Sequence, residues 1–236
     1  MEAERAAHAL AQAAAALTKP HDVAGALVSL LDSCRQGLQV DSAAILLEAD
    51  GRLELLASSS HQMTELELHQ IHLDEGPCVE AHHGGVSVKA QTGELVERWP
   101  RFGQAMVDAG FSSAYATPLD IQGSTFGALG LFRRGAEPFT TAEGVVADAF
   151  ADIAASLVVN LGTIPGDQLR HRLQDALDGR VLIEQAKGVL AEVHDLSMAD
   201  AYELLVQSAR DRHEPLTRWA TEVIGSAQST RSSTEG

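Results

Sequence analysis

The run Arg180-Val-Leu-Ile-Glu-Gln-Ala-Lys-Gly-Val-Leu-Ala-Glu192 holds the residues whose types and spacing best suit recognition chemistry. Its composition is helical, yet Gly188 sits in mid-run beside the lone lysine, Lys187. A glycine inside a helix costs about 1 kcal/mol relative to alanine. It is either tolerated on a solvent-facing side or kept because another backbone or a ligand approaches closely. At about 100° per residue, Arg180, Glu184, Lys187, Gly188 and Ala191 share one sector, predicted to be exposed. Glu184 lies one turn from Arg180 and can hold Arg180 or Lys187 in place. Gly188 and Ala191 make this sector low, and two cations flank it. Such a face suits a nucleobase or a sugar-phosphate edge. A metal ion would need converging His, Cys or carboxylate ligands.

Other chemistry is sparse. Two cysteines, Cys34 and Cys78, cannot make a disulfide framework or a four-cysteine zinc site. Cys78 lies at the N-terminal end of a short predicted helix, whose dipole would lower a thiol pKa and suit redox sensing. The alternative is a structural cysteine. His82 and His83 are adjacent, and His69 and His72 are one turn apart. A haem ligand among them is one reading, and solvated histidines are the commoner one. There is no Gly-x-Ser-x-Gly, no Walker lysine loop and no zinc-helix motif. No catalytic residue, metal site or cofactor is therefore expected.

The formal net charge is −16. That field repels phosphate and argues against non-specific nucleic-acid binding, though not against a local basic site. The charge is uneven: residues 1–164 carry 21 acids against 9 bases, and residues 165–236 carry 12 against 8. No stretch is apolar enough for a membrane span, and the N-terminus lacks a signal-peptide core, so a cytoplasmic protein is expected.

Several elements must position the candidate face. An alanine-rich helix over residues 2–17 stops at Thr18-Lys-Pro20, and a second helix starts near Asp22 with Leu27, Leu30, Leu31, Cys34 and Leu38 on one stripe. Ser42–Glu48 and Leu53–Ser59 form a hairpin around Asp50-Gly51. Short helices follow over 61–72 and 76–83, then extended pieces between Val86 and Val96, and a helix over Phe102–Ala109. A second hairpin, Ser113–Leu119 with Thr125–Phe132, precedes a capping box at Thr140-Thr-Ala-Glu143 and a helix to about Leu161. This order describes an antiparallel sheet with helices around it, an α+β domain. Thr163-Ile-Pro-Gly166 marks the boundary. Three helical segments follow, about 167–193, 198–212 and 215–226. The organisation is an N-terminal helix over 1–18, a domain over 19–162, a helical unit over 163–226 and a disordered tail over 227–236.

The helix over 167–193 changes its apolar side. Leu169, Leu173 and Leu177 lie within about 80° of one another, whereas Leu182, Ile183, Ala186, Val189, Leu190 and Val193 occupy the opposite side. Two buried faces need two partners. The C-terminal half packs on the next two helices, and a second chain suits Leu169, Leu173 and Leu177 through a parallel coil, giving a homodimer. The alternative is packing against the first domain of the same chain. Tyr202 and Trp219 could stack on a base, but they sit on apolar stripes that suit a core.

These residues also carry family likenesses. Ile183-Glu-Gln-Ala-Lys-Gly-Val-Leu190, with Ala201-Tyr202, Ala209-Arg210 and the Leu216…Ala220…Val223-Ile224 ending, resembles the ANTAR domain over residues 167–225. That domain is an RNA-binding three-helix module of bacterial transcription antiterminators. Trp219 departs from the small aliphatic residue more usual there. Asp74-Glu-Gly-Pro-Cys-Val-Glu-Ala81, Arg98-Trp-Pro-Arg-Phe102, Ala109-Gly-Phe111, Ala116-Thr-Pro-Leu119 and Gly127-Ala-Leu-Gly-Leu-Phe132 resemble a GAF domain over 19–161, of the kind actinobacteria attach to ANTAR modules.

The resemblance implies a GAF domain, then a coiled-coil helix and an all-α ANTAR domain. It implies a dimer that binds paired stem-loops in a nascent leader RNA and keeps a terminator hairpin from forming. Arg180, Lys187, Gly188 and Arg210 are then expected at the RNA, with Glu184 and Ala191 in support. GAF domains bind cyclic nucleotides, haem, bilins or no known ligand; the Asn-Lys…Phe…Asp-Glu signature usual in the cyclic-nucleotide type has no counterpart, and Cys78 is followed by Val79 rather than by the histidine of a bilin site. A small-molecule ligand of unknown class stays open. Two other readings remain: a sensor whose C-terminal helices only oligomerise, and a GAF-type methionine sulfoxide reductase, for which Cys34 and Cys78 make an incomplete set.

Overall fold

A computed structural model describes residues 2–18, 22–121, 123–159 and 166–234. The first domain opens with α1 (Glu2–Ala15), a single 3-10 turn and α2 (Val23–Leu38). The hairpin β1 (Ser42–Ala49) and β2 (Arg52–Ser58) follows, its tight turn held by Asp50 and Gly51, both at positive φ. Then come α3 (His61–Leu73), α4 (Pro77–Gly84), β3 (Val88–Gln91), α5 (Thr92–Arg98) and α6 (Pro100–Asp108). The second hairpin is β4 (Ser113–Ile121) and β5 (Ser124–Arg133), and α7 (Thr141–Val159) closes the domain.

The five strands form one antiparallel sheet in the order β2-β1-β5-β4-β3. Both faces are covered, which is why β1 and β5 are continuous apolar runs rather than alternating ones. Leu27, Leu31, Phe150, Ala154 and Val158 from α2 and α7 fill one face. Met63, Cys78, Phe102, Met106, Phe111 and Phe132 fill the other.

The capping box forms as its spacing predicts. Thr140 N–H donates to Glu143 Oε2 at 2.8 Å, and Glu143 N–H donates to Thr140 Oγ1 at 3.2 Å. Arg133 then pairs with Glu143 at 2.7 Å, tying the start of α7 to the sheet. Two expectations are corrected. Of the extended pieces between Val86 and Val96, only β3 is a strand; Thr92–Arg98 is helical because Gln91 and Glu94 make a capping box of their own. The chain after residue 226, expected to be disordered, also stays helical as far as Thr234.

The second unit is α8 (Gly166–His194), α9 (Met198–Arg212) and α10 (Leu216–Thr234). Helix α10 thus runs through most of the expected disordered tail, since no proline stops it and adding residues to an existing helix is easier than starting one. Ser197 Oγ accepts the Asp200 N–H at 3.1 Å and caps α9. Ala186, Leu190, Ala201, Leu205, Ala220 and Val223 make the unit's centre. The unit packs on the first domain, α8 lying against α2, β1 and β2, α9 against α3 and α10 against α2. Leu177, expected to face a partner chain, is only 4% exposed and belongs to the core of its own chain. The side chains of Leu169 and Leu173 and the link over residues 160–165 lie outside the described residues. Among the described residues, no helix is long and apolar enough to cross a membrane, and no three metal-ligating side chains converge.

Candidate nucleic-acid interface

The sector Arg180, Glu184, Lys187, Gly188 and Ala191 forms on α8 as its spacing predicts, but the structure does not leave all of it open. Lys187 is 2% exposed, a correction to its expected exposure. Its ammonium pairs with Glu184 one turn back. The end of β2 and the start of α3 lie beside it, with Val28 of α2 and Tyr202 of α9. Between them lies a cavity of about 20 Å³, lined by Ser58, Ser60, His61 and Thr64 on one side and by Arg180 and Lys187 on the other. That volume suits about one water molecule.

Arg180 is half-buried at the same seam. Burial lowers its pKa, opposed by the nearby carboxylates of Glu184 and Glu54. Tyr202 Oη donates to the Ser58 carbonyl oxygen at 3.3 Å. Burial raises the Tyr202 phenol above its ordinary range, with Asp32 and Glu184 adding to the effect. Tyr202 is therefore a contact between the domains, not a free stacking platform. Trp219 lies under Arg212, whose guanidinium carbon is 4.0 Å from the ring centroid, and it packs partly into the core. Arg210 keeps an exposed side chain but forms an ion pair with Asp32, which Arg35 also approaches at 3.7 Å.

Gly188 and Ala191 are half-exposed. Beyond its own helix's backbone and chain neighbours, no described atom lies within 4 Å of the position a Cβ on Gly188 would take. The protein's own packing therefore gives no reason for this glycine. The close approach lies elsewhere, at Gly179, where a Cβ would stand 2.9 Å from Ala24 Cβ and 3.2 Å from Thr217 Cγ2. Gly179 lets α2 and α10 meet α8, and its position one turn before Ile183 was the available signal. Asp22 was also missed: its Oδ2 accepts the Thr217 N–H at 3.1 Å, so a carboxylate of the first domain satisfies the start of α10.

The redox reading of Cys78 is corrected. The thiol is fully buried, and burial, with the Glu67 carboxyl beside it, pushes its pKa up rather than down. Glu67 and Gln70 are buried with it: Gln70 Nε2 donates to Glu67, and Gln70 Oε1 accepts the Cys78 N–H at 2.8 Å. Burial raises the Glu67 carboxyl to about 8, against the lowering by its hydrogen bonds. His82 stands 3.0 Å from Glu48 and burial lowers its pKa, while His69, His72 and His83 are exposed.

Comparison with known proteins agrees with this division. Residues 22–158 match the GAF domain, and residues 171–224 match the ANTAR domain. Among solved structures, the chain is similar to the GAF domain of a phosphoenolpyruvate-protein phosphotransferase from Coxiella burnetii, at 16% identity, covering 66% of this chain and 94% of that one, TM-score 0.54. The GAF domain of an Acinetobacter phosphoenolpyruvate-protein phosphotransferase aligns at 15% identity over 67% and 96%, TM-score 0.50. The nlh2 GAF domain of A. aeolicus aligns at 12% over 66% and 97%, TM-score 0.51. At these identities the likeness shows the fold alone. No curated protein matches the chain. GAF domains are sensor modules and ANTAR domains are RNA-binding antitermination modules, regulatory rather than catalytic parts. With the sheet topology, the three-helix unit and both matches in agreement, the chain belongs to the GAF family and carries an ANTAR domain behind its GAF domain.

Proposed function

We propose that this protein is an RNA-binding antitermination regulator that acts as a dimer on paired stem-loops of a nascent leader transcript, with its GAF domain as sensor. The observation that carries the reading is the low, half-exposed surface at Gly188 and Ala191, on the same helix as Arg180 and Lys187, which sit at its edge under the first domain. Loop bases are unpaired and can lie flat on such a surface, whereas an A-form stem hides its base edges in a deep groove. Arg210 adds a cation from α9, and Glu184 orients Lys187. Two copies of a weakly cationic site gain affinity through effective concentration, which offsets the repulsion of a chain with net charge −16.

The opposing reading, in which the C-terminal helices only oligomerise, draws on the burial of Lys187. It leaves the open space at Gly188 without a purpose. A gel shift comparing tandem and single stem-loop RNAs, with the mass of the complex measured alongside, tests the proposal. Tandem RNA should bind more tightly, as a complex with two protein chains, and Lys187→Gln should weaken it. Equal affinity of Lys187→Gln and wild type would sink the assignment of this face.

A further inference from the structure

The positive features of the ANTAR face are matched by negative ones on the GAF domain. Arg210 meets Asp32. Arg180 lies in the field of Glu54. The N-terminus of the long helix α10 receives the Asp22 carboxylate through Thr217 N–H. Lys187, with its own Glu184, is closed over by the segment from Ser58 to Thr64. A carboxylate on an arginine and a carboxylate at a helix N-terminus are the places phosphate oxygens would take.

From this we infer that the face formed by α2, the end of β2 and the start of α3 is an electrostatic stand-in for RNA. It engages the cations Arg180, Lys187 and Arg210 beside the open Gly188 and Ala191, and RNA reaches those cations only when the two domains part. The inference rests on the RNA reading above and assigns the regulation of that same site. The polar part of the contact can open, since its ion pair is partly exposed and contributes little. Parting also uncovers apolar residues, because Leu27 of α2 shares one buried cluster with Leu177 and Leu216 of the second unit. A closed chain shows its intrinsic affinity reduced by the fraction that is open, so anything that favours the open arrangement raises RNA binding without a new RNA contact.

The test compares three full-length chains: wild type, Asp32→Asn with Gly179→Ala, and that double variant with Lys187→Gln. Asp32→Asn removes the carboxylate from Arg210. Gly179→Ala puts a methyl 2.9 Å from Ala24 Cβ, which must move α8 off α2, while the helix itself gains propensity. Opening is read by acylation of Lys187 with a water-soluble active ester, followed by mass spectrometry, with exposed Lys89 as internal reference. The RNA probe is the tandem stem-loop that the full-length chain enriches from a library with randomised loops.

The double variant should show faster Lys187 acylation and roughly tenfold tighter RNA binding, and Lys187→Gln should abolish the gain. Faster acylation with unchanged RNA affinity overturns the inference and leaves the RNA reading standing. Acylation as slow as in wild type overturns the latch itself. If Lys187→Gln binds as tightly as its parent, the RNA reading of this face falls, and the inference falls with it.

Discussion

Lys187 and Glu67 are both ionisable side chains withdrawn from water, and the chain treats them in opposite ways. Lys187 has a carboxylate within reach, whereas Glu67 meets only Gln70 and Cys78, neutral groups that do not offset the loss of hydration. Glu67 therefore holds its proton to about pH 8 in the folded chain, against an ordinary value of 4.5. Between those values the folded state binds more protons than the unfolded one, so this group's contribution to stability falls as pH rises and is gone above about 8. Glu67→Gln keeps the shape and removes the titration. Its denaturation midpoint should gain on that of wild type between pH 5 and pH 8, and an equal gap at both values would contradict the assignment. Gly188 gives a second prediction at this scale. Gly188→Ala meets no neighbour, so it should stabilise α8 by about 1 kcal/mol. If RNA approaches the backbone there, the same variant melts higher but binds tandem stem-loops less tightly. Unchanged binding would return Gly188 to a glycine that solvent merely tolerates.

Elements were legible where their ends are fixed by neighbours in sequence. Thr140 with Glu143, and Ser197 with Asp200, define helix starts through bonds spanning three residues, and the first formed where its spacing placed it. The same local rule at Gln91 and Glu94 went unread because the segment has the look of short extended pieces. What no spacing could show is the contact between domains. Lys187 reads as exposed on its own helix, yet it is buried at the seam where β2 and α3 lie. Gly179 looks like any other helix glycine until Ala24 is set against it. Leu177 was assigned to a second chain for the same reason, since its actual neighbours lie far away in sequence. The capping interaction itself is open to measurement. Thr140→Ala removes the acceptor for Glu143 N–H, while the backbone N–H of residue 140 and Arg133 still hold the Glu143 carboxylate. A loss of about 1 kcal/mol in urea denaturation is expected, and no measurable loss would mean the box contributes only geometry.

At the scale of the whole molecule, salt separates the two roles of Arg210. RNA binding releases counterions, and on single strands each phosphate neutralised contributes a slope of about −0.7 in log affinity against log salt. In wild type the free chain already spends Arg210 on Asp32, an ion pair whose side chains are 47% and 26% exposed and hence open to screening. Rising salt therefore weakens the RNA complex and the closed form together, and the second effect partly cancels the first. Asp32→Asn removes the closing pair but keeps every positive charge on the RNA face. Its binding should be tighter at low salt and fall more steeply as salt rises, so that the two curves converge. The acidic GAF domain repels RNA in both chains, and its long-range field differs between them by a single charge. A difference in slope larger than a single charge can supply thus reports on the closed arrangement. Parallel curves, with Asp32→Asn displaced by a constant factor, would show that Asp32 does not act through a contact that salt screens, and would contradict the closed arrangement.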